Sequence, residues 1–290
     1  MVLPEVPGPE GTRIWRRVEE LGVGHAWTFD HLSWRGAHGG PWFDAFTVLA
    51  AAAAGTVRIT LGTLVTTPNF RHPVTTATQA MTIDHLSGGR FVLGLGAGVA
   101  GPDAAALGAA PLSPAARADR FKEFATMLDT LLRQPRSTLH GQFFDAVDVP
   151  MAPGCMRKPR IPFAIAATGR RGLRLAAAYA DTWVTIGNPR EPGAEPEKQA
   201  LGTLGAQLDR LAHACDEVGR DPRDLHKLVH LGRIAADPCA SPDRFADLVG
   251  TCQDLGFTDV VVDYPRPAEV RAGVLDRFER AAAAVCSAVS

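Results

Sequence analysis

The chain has 290 residues, 46% of them hydrophobic and 21% charged, a balance that excludes a disordered polymer and provides for a large core. A formal net charge of −1 excludes general electrostatic attraction to nucleic acid or anionic lipid and leaves a small molecule as the expected partner. The cysteines, Cys155, Cys215, Cys239, Cys252 and Cys286, show neither CxxC pairs nor zinc-like spacing, which predicts buried thiols in a reducing compartment and no metal site.

At the start, residues 1–7 lack the basic residues and apolar run of a secretory signal, and the longest apolar stretch, 48–54, is too short to span a bilayer. A soluble, cytoplasmic protein is expected. From there apolar runs alternate with helical patterns, and the runs are continuous rather than alternating with polar residues, as in strands buried on both faces. They fall at Val2-Leu3 and at 26–29, 57–65, 91–95, 162–166, 182–186, 228–235 and 260–262. Helices are predicted over 12–21, 42–54, 75–86, 113–132, 171–179, 198–218, 242–255 and 267–285. The fourth helix has the clearest signals: Ser113 as cap, Pro114 behind it, and Phe121, Phe124, Leu128 and Leu131 at helical spacing. Eight strands alternating with helices predict an α/β fold, a (β/α)₈ TIM barrel forming one domain over 1–290. Two long connections, 133–161 and 188–197, read as insertions that shape a substrate pocket.

Barrel chemistry sits where strands end. The run 26–29 exits into Asp30-His31-Leu32-Ser33-Trp34, a titratable pair beside an aromatic. Either His31 exchanges a proton near neutral pH, or Asp30 and His31 only hydrogen-bond within the loop. The run 57–65 ends at Thr63, Leu64 and Val65 and leads into a Pro-punctuated loop, where Arg71 and His72 either face a ligand or cap the next helix.

After 91–95, Gly96-Ala97-Gly98 begins a literal GxGxxG. A dinucleotide fingerprint would need a helix opening within it, whereas the next helix is expected only near Ser113. Gly96 and Gly98 either admit a flat ring to the backbone or pack strands closely. After 162–166, Ala166-Ala167-Thr168-Gly169-Arg170-Arg171 runs into a helix, and its free amides, hydroxyl and two arginines suit a phosphate, with capping by Thr168 as the alternative. No GxSxG, HExxH, Walker sequence or carboxylate cluster supports a hydrolase or metalloenzyme.

Several runs in joint order carry a resemblance: Glu19-Glu20-Leu21-Gly22, Phe29-Asp30-His31, Arg58-Ile59-Thr60-Leu61-Gly62-Thr63, Arg71-His72-Pro73, Thr82-Ile83-Asp84-His85-Leu86-Ser87-Gly88-Gly89-Arg90, Leu93-Gly94-Leu95-Gly96-Ala97-Gly98 and Ala176-Ala177-Ala178-Tyr179-Ala180-Asp181. Over nearly its full length the chain resembles the bacterial-luciferase-like flavin- and coenzyme F420-dependent oxidoreductases. The resemblance implies an often dimeric barrel, with the cofactor ring against Thr63, Leu64 and Val65 and a non-prolyl cis peptide at Leu64-Val65. It implies a cofactor-phosphate loop over Ala166, Ala167, Thr168, Gly169, Arg170 and Arg171, an Asp30-His31 pair that contacts the ring and manages protons, and Trp34 near an active-site tryptophan.

Two departures stand out: the first strand is short, and Val99 stands where the family's sugar-phosphate dehydrogenases carry a glutamate, which argues against that activity. The function expected from the resemblance is hydride transfer between reduced coenzyme F420 and an organic substrate, with a two-component monooxygenase using reduced FMN as the alternative. A non-catalytic flavin-binding barrel is a third reading, and a homodimer is the expected assembly. The substrate itself has no readable motif.

Overall fold

The computed structural model describes residues 1–32, 42–189, 195–266 and 273–289. In chain order the elements are α1 (Gly8–Glu20), β1 (His25–Thr28), α2 (Ala45–Gly55), β2 (Thr60–Thr63), α3 (Pro73–Leu86), β3 (Phe91–Gly96), α4 (Pro102–Ala105) and α5 (Pro114–Arg133). Then follow β4 (Arg136–His140), β5 (Asp145–Pro150), β6 (Phe163–Ala166), α6 (Arg170–Tyr179), β7 (Thr182–Thr185), α7 (Glu197–Asp216), β8 (His226–His230), α8 (Pro242–Leu255), β9 (Asp259–Val261) and α9 (Val274–Val289).

Seven strands pair in parallel in the order β1-β2-β3-β6-β7-β8-β9. The ring closes through the first residues of the chain, because Val2 bridges Trp27 on one side and Asp263 on the other. Val2 N–H donates to Val262 O at 2.8 Å, Leu3 N–H to Trp27 O at 2.7 Å, and Tyr264 N–H to Val2 O at 2.8 Å. Residues 1–3 are thus the eighth strand, as short as the sequence implied, and the fold is a (β/α)₈ barrel.

Inside the barrel Val2, Trp27, Leu64, Val92, Ala164, Val184, Leu228 and Val261 form one apolar layer. Side chains alternate along a strand, so the next inward positions toward the strand ends are Phe29, Ala166, His230 and Asp263. Outside, helix faces complete the main core, and Phe121, Phe124, Leu128 and Leu131 of α5 are all buried against it, with Ser113 Oγ accepting from Ala116 N–H at 3.2 Å as the expected cap.

The opposite face, where strands begin, is stitched by three polar side chains. Glu19 accepts the N–H groups of Val57, Arg58 and Ile59 at 3.0, 2.6 and 2.9 Å. Arg90 donates to Ala53 O, Thr56 O, Thr56 Oγ1, Ile59 O and Ser87 O at 2.7–3.0 Å, tying the end of α2 to the entries of β2 and β3. Arg160 joins Asp129 at 2.6 Å to Asp181 at 2.9 Å and lies over the Phe163 ring.

The structure corrects some expected boundaries. The run 228–235 is strand only to His230; Leu231–Arg233 forms a 3₁₀ turn, and Leu231, Ile234 and Ala235 are buried as loop core, which an apolar run alone does not distinguish from strand. The connection 133–161 holds the antiparallel hairpin β4–β5, whose two-sided exposure hid it. Glu123 on α5 docks the hairpin tip by accepting from Gln142, Phe143 and Phe144 N–H at 2.7–2.9 Å. In the connection 188–197, residues 190–194 lie outside the described residues, as do 267–272 ahead of α9. Cys155, Cys215, Cys239 and Cys252 are buried thiols. Among the described residues no helix is long and apolar enough to cross a membrane.

Candidate active site

The candidate residues that are described lie at or after the ends of parallel strands and so gather at one mouth of the barrel. His31, at the exit of β1, holds its Nδ1 2.5 Å from Asp103 Oδ2, and the other oxygen of that carboxylate accepts Leu32 N–H at 3.0 Å. Trp42 Nε1 donates to His31 O at 2.7 Å and turns its ring edge-on to the imidazole, with 5.9 Å between centroids; Phe29 lies 6.4 Å away. Arg266 sits over the Trp42 ring and donates to Glu5 at 3.1 Å, and Glu5 in turn accepts from Thr28 Oγ1 and Phe29 N–H. Imidazole, carboxylate and indole are thereby fixed to one another through four strand exits.

Asp103 does not stand out in the sequence because the next helix is expected only near Ser113. In fact α4 opens directly after Gly101, and Asp103 is in its first turn. An acidic residue behind a Gly-rich strand exit was the available signal. A nucleotide is not the partner this geometry suits, since the motif Gly96 to Gly101 belongs to a barrel strand exit. Trp34 lies outside the described residues.

Asp30, adjacent to His31, has a different setting. It is fully buried and paired in bidentate fashion with Arg71, Nη2 to Oδ1 at 2.5 Å and Nε to Oδ2 at 3.1 Å. The same guanidinium reaches Asp44 Oδ2 at 2.6 Å and lies 4.8 Å from the centroids of Phe46 and Phe70. Burial pushes the Asp30 carboxyl above its ordinary value against the pull of Arg71. Burial also acts to raise Asp44, but there the bonds from Arg71 and Thr47 N–H prevail and hold it low. Arg71 therefore staples the exits of β1 and β2 to α2. His72 caps α3, its Nδ1 accepting from Val74 N–H at 3.3 Å.

At the β2 exit the peptide Leu64-Val65 is cis, as the resemblance implied. Its backbone crosses close to β3: a Cβ built on Gly94 would lie 1.7 Å from Thr63 O, and one on Gly96 would lie 2.5 Å from Val65 Cγ2. Only glycine allows this approach. Thr66 N–H donates to Gly94 O and Gly96 N–H to Thr66 O, at 2.8 and 2.9 Å. Thr63 is buried and bonds Gly94 O, Ala97 is half-buried against the core, and Gly98 lies against the Asn69 amide.

On the far side, Ala166, Ala167 and Thr168 are half-buried, and Gly169 is the N-cap of α6. No side chain caps that helix, so Thr168 does not. Ala167 is pinned by Trp183 Nε1, which donates to its carbonyl at 2.7 Å. Arg170 bonds Glu217 at 3.3 Å and Arg171 bonds Asp119 at 2.8 Å, so both guanidiniums reach neighbouring helices.

The model of the luciferase-like monooxygenase family matches residues 4–238. A 4-hydroxyprotoasukamycin monooxygenase of Streptomyces nodosus subsp. asukaensis is 31% identical over 221 residues, 72% of this chain and 56% of its own length. The chain thus spans little more than half of that relative. An F420-dependent glucose-6-phosphate dehydrogenase of Beutenbergia cavernae is 34% identical over 303 residues, 90% of this chain and 88% of its own. A solved F420-dependent secondary alcohol dehydrogenase, captured with an F420-acetone adduct, has the same fold, with a TM-score of 0.81 over 100% of this chain and 99% of its own at 15% identity. With 235 consecutive residues inside the family match, this chain belongs to the luciferase-like monooxygenase family of enzymes.

Proposed function

We propose that the chain is an F420-dependent oxidoreductase acting on a small organic alcohol or carbonyl compound. The observation that carries this reading is the His31–Asp103 pair, braced by Trp42, at the mouth of the barrel. When bound, the deazaflavin supplies or accepts the hydride. The residues present fit such a group. The first-turn amides of α6, free of any side-chain cap, suit its phosphate, and the small residues Gly96, Ala97, Ala166 and Ala167 leave room for a flat ring beside Thr63, Leu64 and Val65.

The chain's own part is to bind, orient and move one proton. Asp103 faces Nδ1 of His31, which fixes the ring and assigns Nε2 to exchange the proton with a substrate oxygen. Phe29 and Trp42 limit water around that imidazole. Asp30 and Arg71 hold the strand exits in register rather than handling the proton. Val99, 73% exposed, offers no carboxylate at the rim, so a sugar phosphate is not the substrate proposed. One barrel domain over 1–290 and a homodimer belong to the same reading.

A monooxygenase using reduced FMN is the second reading, favoured by the monooxygenase relative. Titration of the protein with reduced F420 and with reduced FMN, while oxygen uptake is followed, separates the two. F420 binding without oxygen consumption is expected; FMN binding alone with substrate-dependent oxygen uptake would reject the proposal. His31→Ala is expected to lower turnover by about 10²–10⁴-fold, the usual contribution of positioned proton transfer. Unchanged turnover would remove His31 from the mechanism.

A further inference from the structure

His230 ends β8 with its side chain 2% exposed, and neither ring nitrogen has a hydrogen-bond partner among the described residues. Nε2 lies 3.2 Å from Asp263 Oδ1, within ion-pair range but out of line for a hydrogen bond. The imidazole lies parallel to the ring of Phe29, with 6.4 Å between centroids and 7° between planes, and Phe29 is also 6.4 Å from His31. Phe29 thus neighbours both His230 and the proposed proton-exchanging group.

A buried polar atom without a partner costs free energy, and such atoms persist where something else supplies the bond. The neighbouring Asp263 also lies in the wall of a cavity of about 260 Å³ between the exits of β8 and β9 and the first turn of α9, which His230 itself does not line. A Cβ on Gly232 would lie 3.5 Å from His230 Nδ1, 3.2 Å from its Cε1 and 2.8 Å from Asp263 Oδ2, so a larger residue would crowd the Nδ1 edge.

The chemistry of the missing partner follows from Asp263. Burial acts to raise its carboxyl, but His230 and the charges of Arg233 and Arg266 hold it below its ordinary value, so at neutral pH it is a carboxylate and only accepts. The imidazole proton belongs on Nε2 beside that carboxylate, which leaves Nδ1 with a lone pair. We infer that His230 is a ligand-binding residue whose Nδ1 accepts a hydrogen bond from an O–H or N–H donor of the molecule held in the barrel mouth. The inference rests on the proposed function only in taking that molecule to be the cofactor or its substrate. The donor is then either the ring's imide N–H or a substrate hydroxyl.

Wild type, His230→Leu and His230→Asn are compared in thermal unfolding without ligand, in fluorescence titration with F420 and with FMN, and in titration of the F420-loaded proteins with 2-propanol. The leucine variant is expected to unfold at the wild-type temperature or higher, having lost the unpaired Nδ1, and to bind about tenfold more weakly. Weakening in the cofactor titrations assigns the donor to the imide; weakening in the alcohol titration alone assigns it to a hydroxyl. The asparagine variant, which keeps an acceptor oxygen, is expected to recover most of the loss. A leucine variant that unfolds earlier with all binding unchanged overturns the inference and makes His230 a core residue. If unfolding temperature and binding fall together, recovery of binding by asparagine supports the inference and its absence overturns it. Wild-type protein that bound neither cofactor would refute the proposed function by itself, and the unfolding comparison would still decide the role of His230.

Discussion

Arg71→Met removes the only cation bonded to the Asp30 carboxylate among the described residues and leaves that carboxylate fully buried. Breaking a buried ion pair on one side costs about 3–5 kcal/mol, because a charge is left without compensation. For a chain of this size each kcal/mol moves the unfolding midpoint by roughly 2–3 °C, so a fall of about 6–15 °C is expected in calorimetry. In the double variant Asp30→Asn/Arg71→Met no charge is stranded at that spot, and the loss should shrink to about 1–2 kcal/mol, the range for an unmet neutral hydrogen bond.

The pH dependence has a definite sign. Burial already raises Asp30 above its ordinary value, and without Arg71 only the hydrogen bond with Thr66 opposes that shift. A group whose folded value is raised favours the folded state below its unfolded value and loses that contribution as pH rises through the folded one. The deficit of Arg71→Met against wild type is therefore largest near neutral pH and narrows as the solution is acidified. A single variant within about 1 kcal/mol of wild type, the range of an exposed pair, would refute the reasoning, as would a deficit that ignores pH.

Asp103→Asn keeps the shape of the side chain but can donate to Nδ1 of His31 and so favours the wrong tautomer; kcat/KM is expected to fall about 10²-fold with little change in unfolding temperature. Gly94→Ala places a methyl group 1.7 Å from Thr63 O, and urea unfolding should show a loss of about 1–3 kcal/mol or more. Asp259 is held down to about 2: burial opposes this, but bonds from His25 and Thr258 outweigh it. Its stabilising contribution is present above the unfolded value and lost as pH falls through the folded one, so wild type should lose more stability than Asp259→Asn between about pH 4 and pH 2.

The repeating pattern of strand and helix was legible because strands buried on both faces write long apolar runs, and eight such runs close a barrel. Even the three-residue first strand was readable. Signals failed where packing and hydrogen bonding diverge: 231–235 is apolar like a strand but turns over the rim, while β4–β5 pairs like a hairpin without an apolar face. At the site, His31 could be singled out by its position after a strand. Its partner Asp103 left only a weak signal, an acidic residue behind a Gly-rich strand exit, because the four-residue helix that carries it has no periodicity to detect. Nor does spacing reveal that Asp30 and Arg71, forty-one positions apart, would neutralise each other.

Several sequence runs that carry the family likeness lie far from any chemistry. Glu19, Arg90 and Asp181 serve the end of the barrel where strands enter, each satisfying backbone or charged partners from neighbouring elements. Architecture and reactivity are consequently encoded at opposite poles of the molecule. Outside the Asp30–Arg71 staple, loops at the reactive pole can exchange residues and alter what the enzyme accepts, since the ties among strand entries draw on none of them.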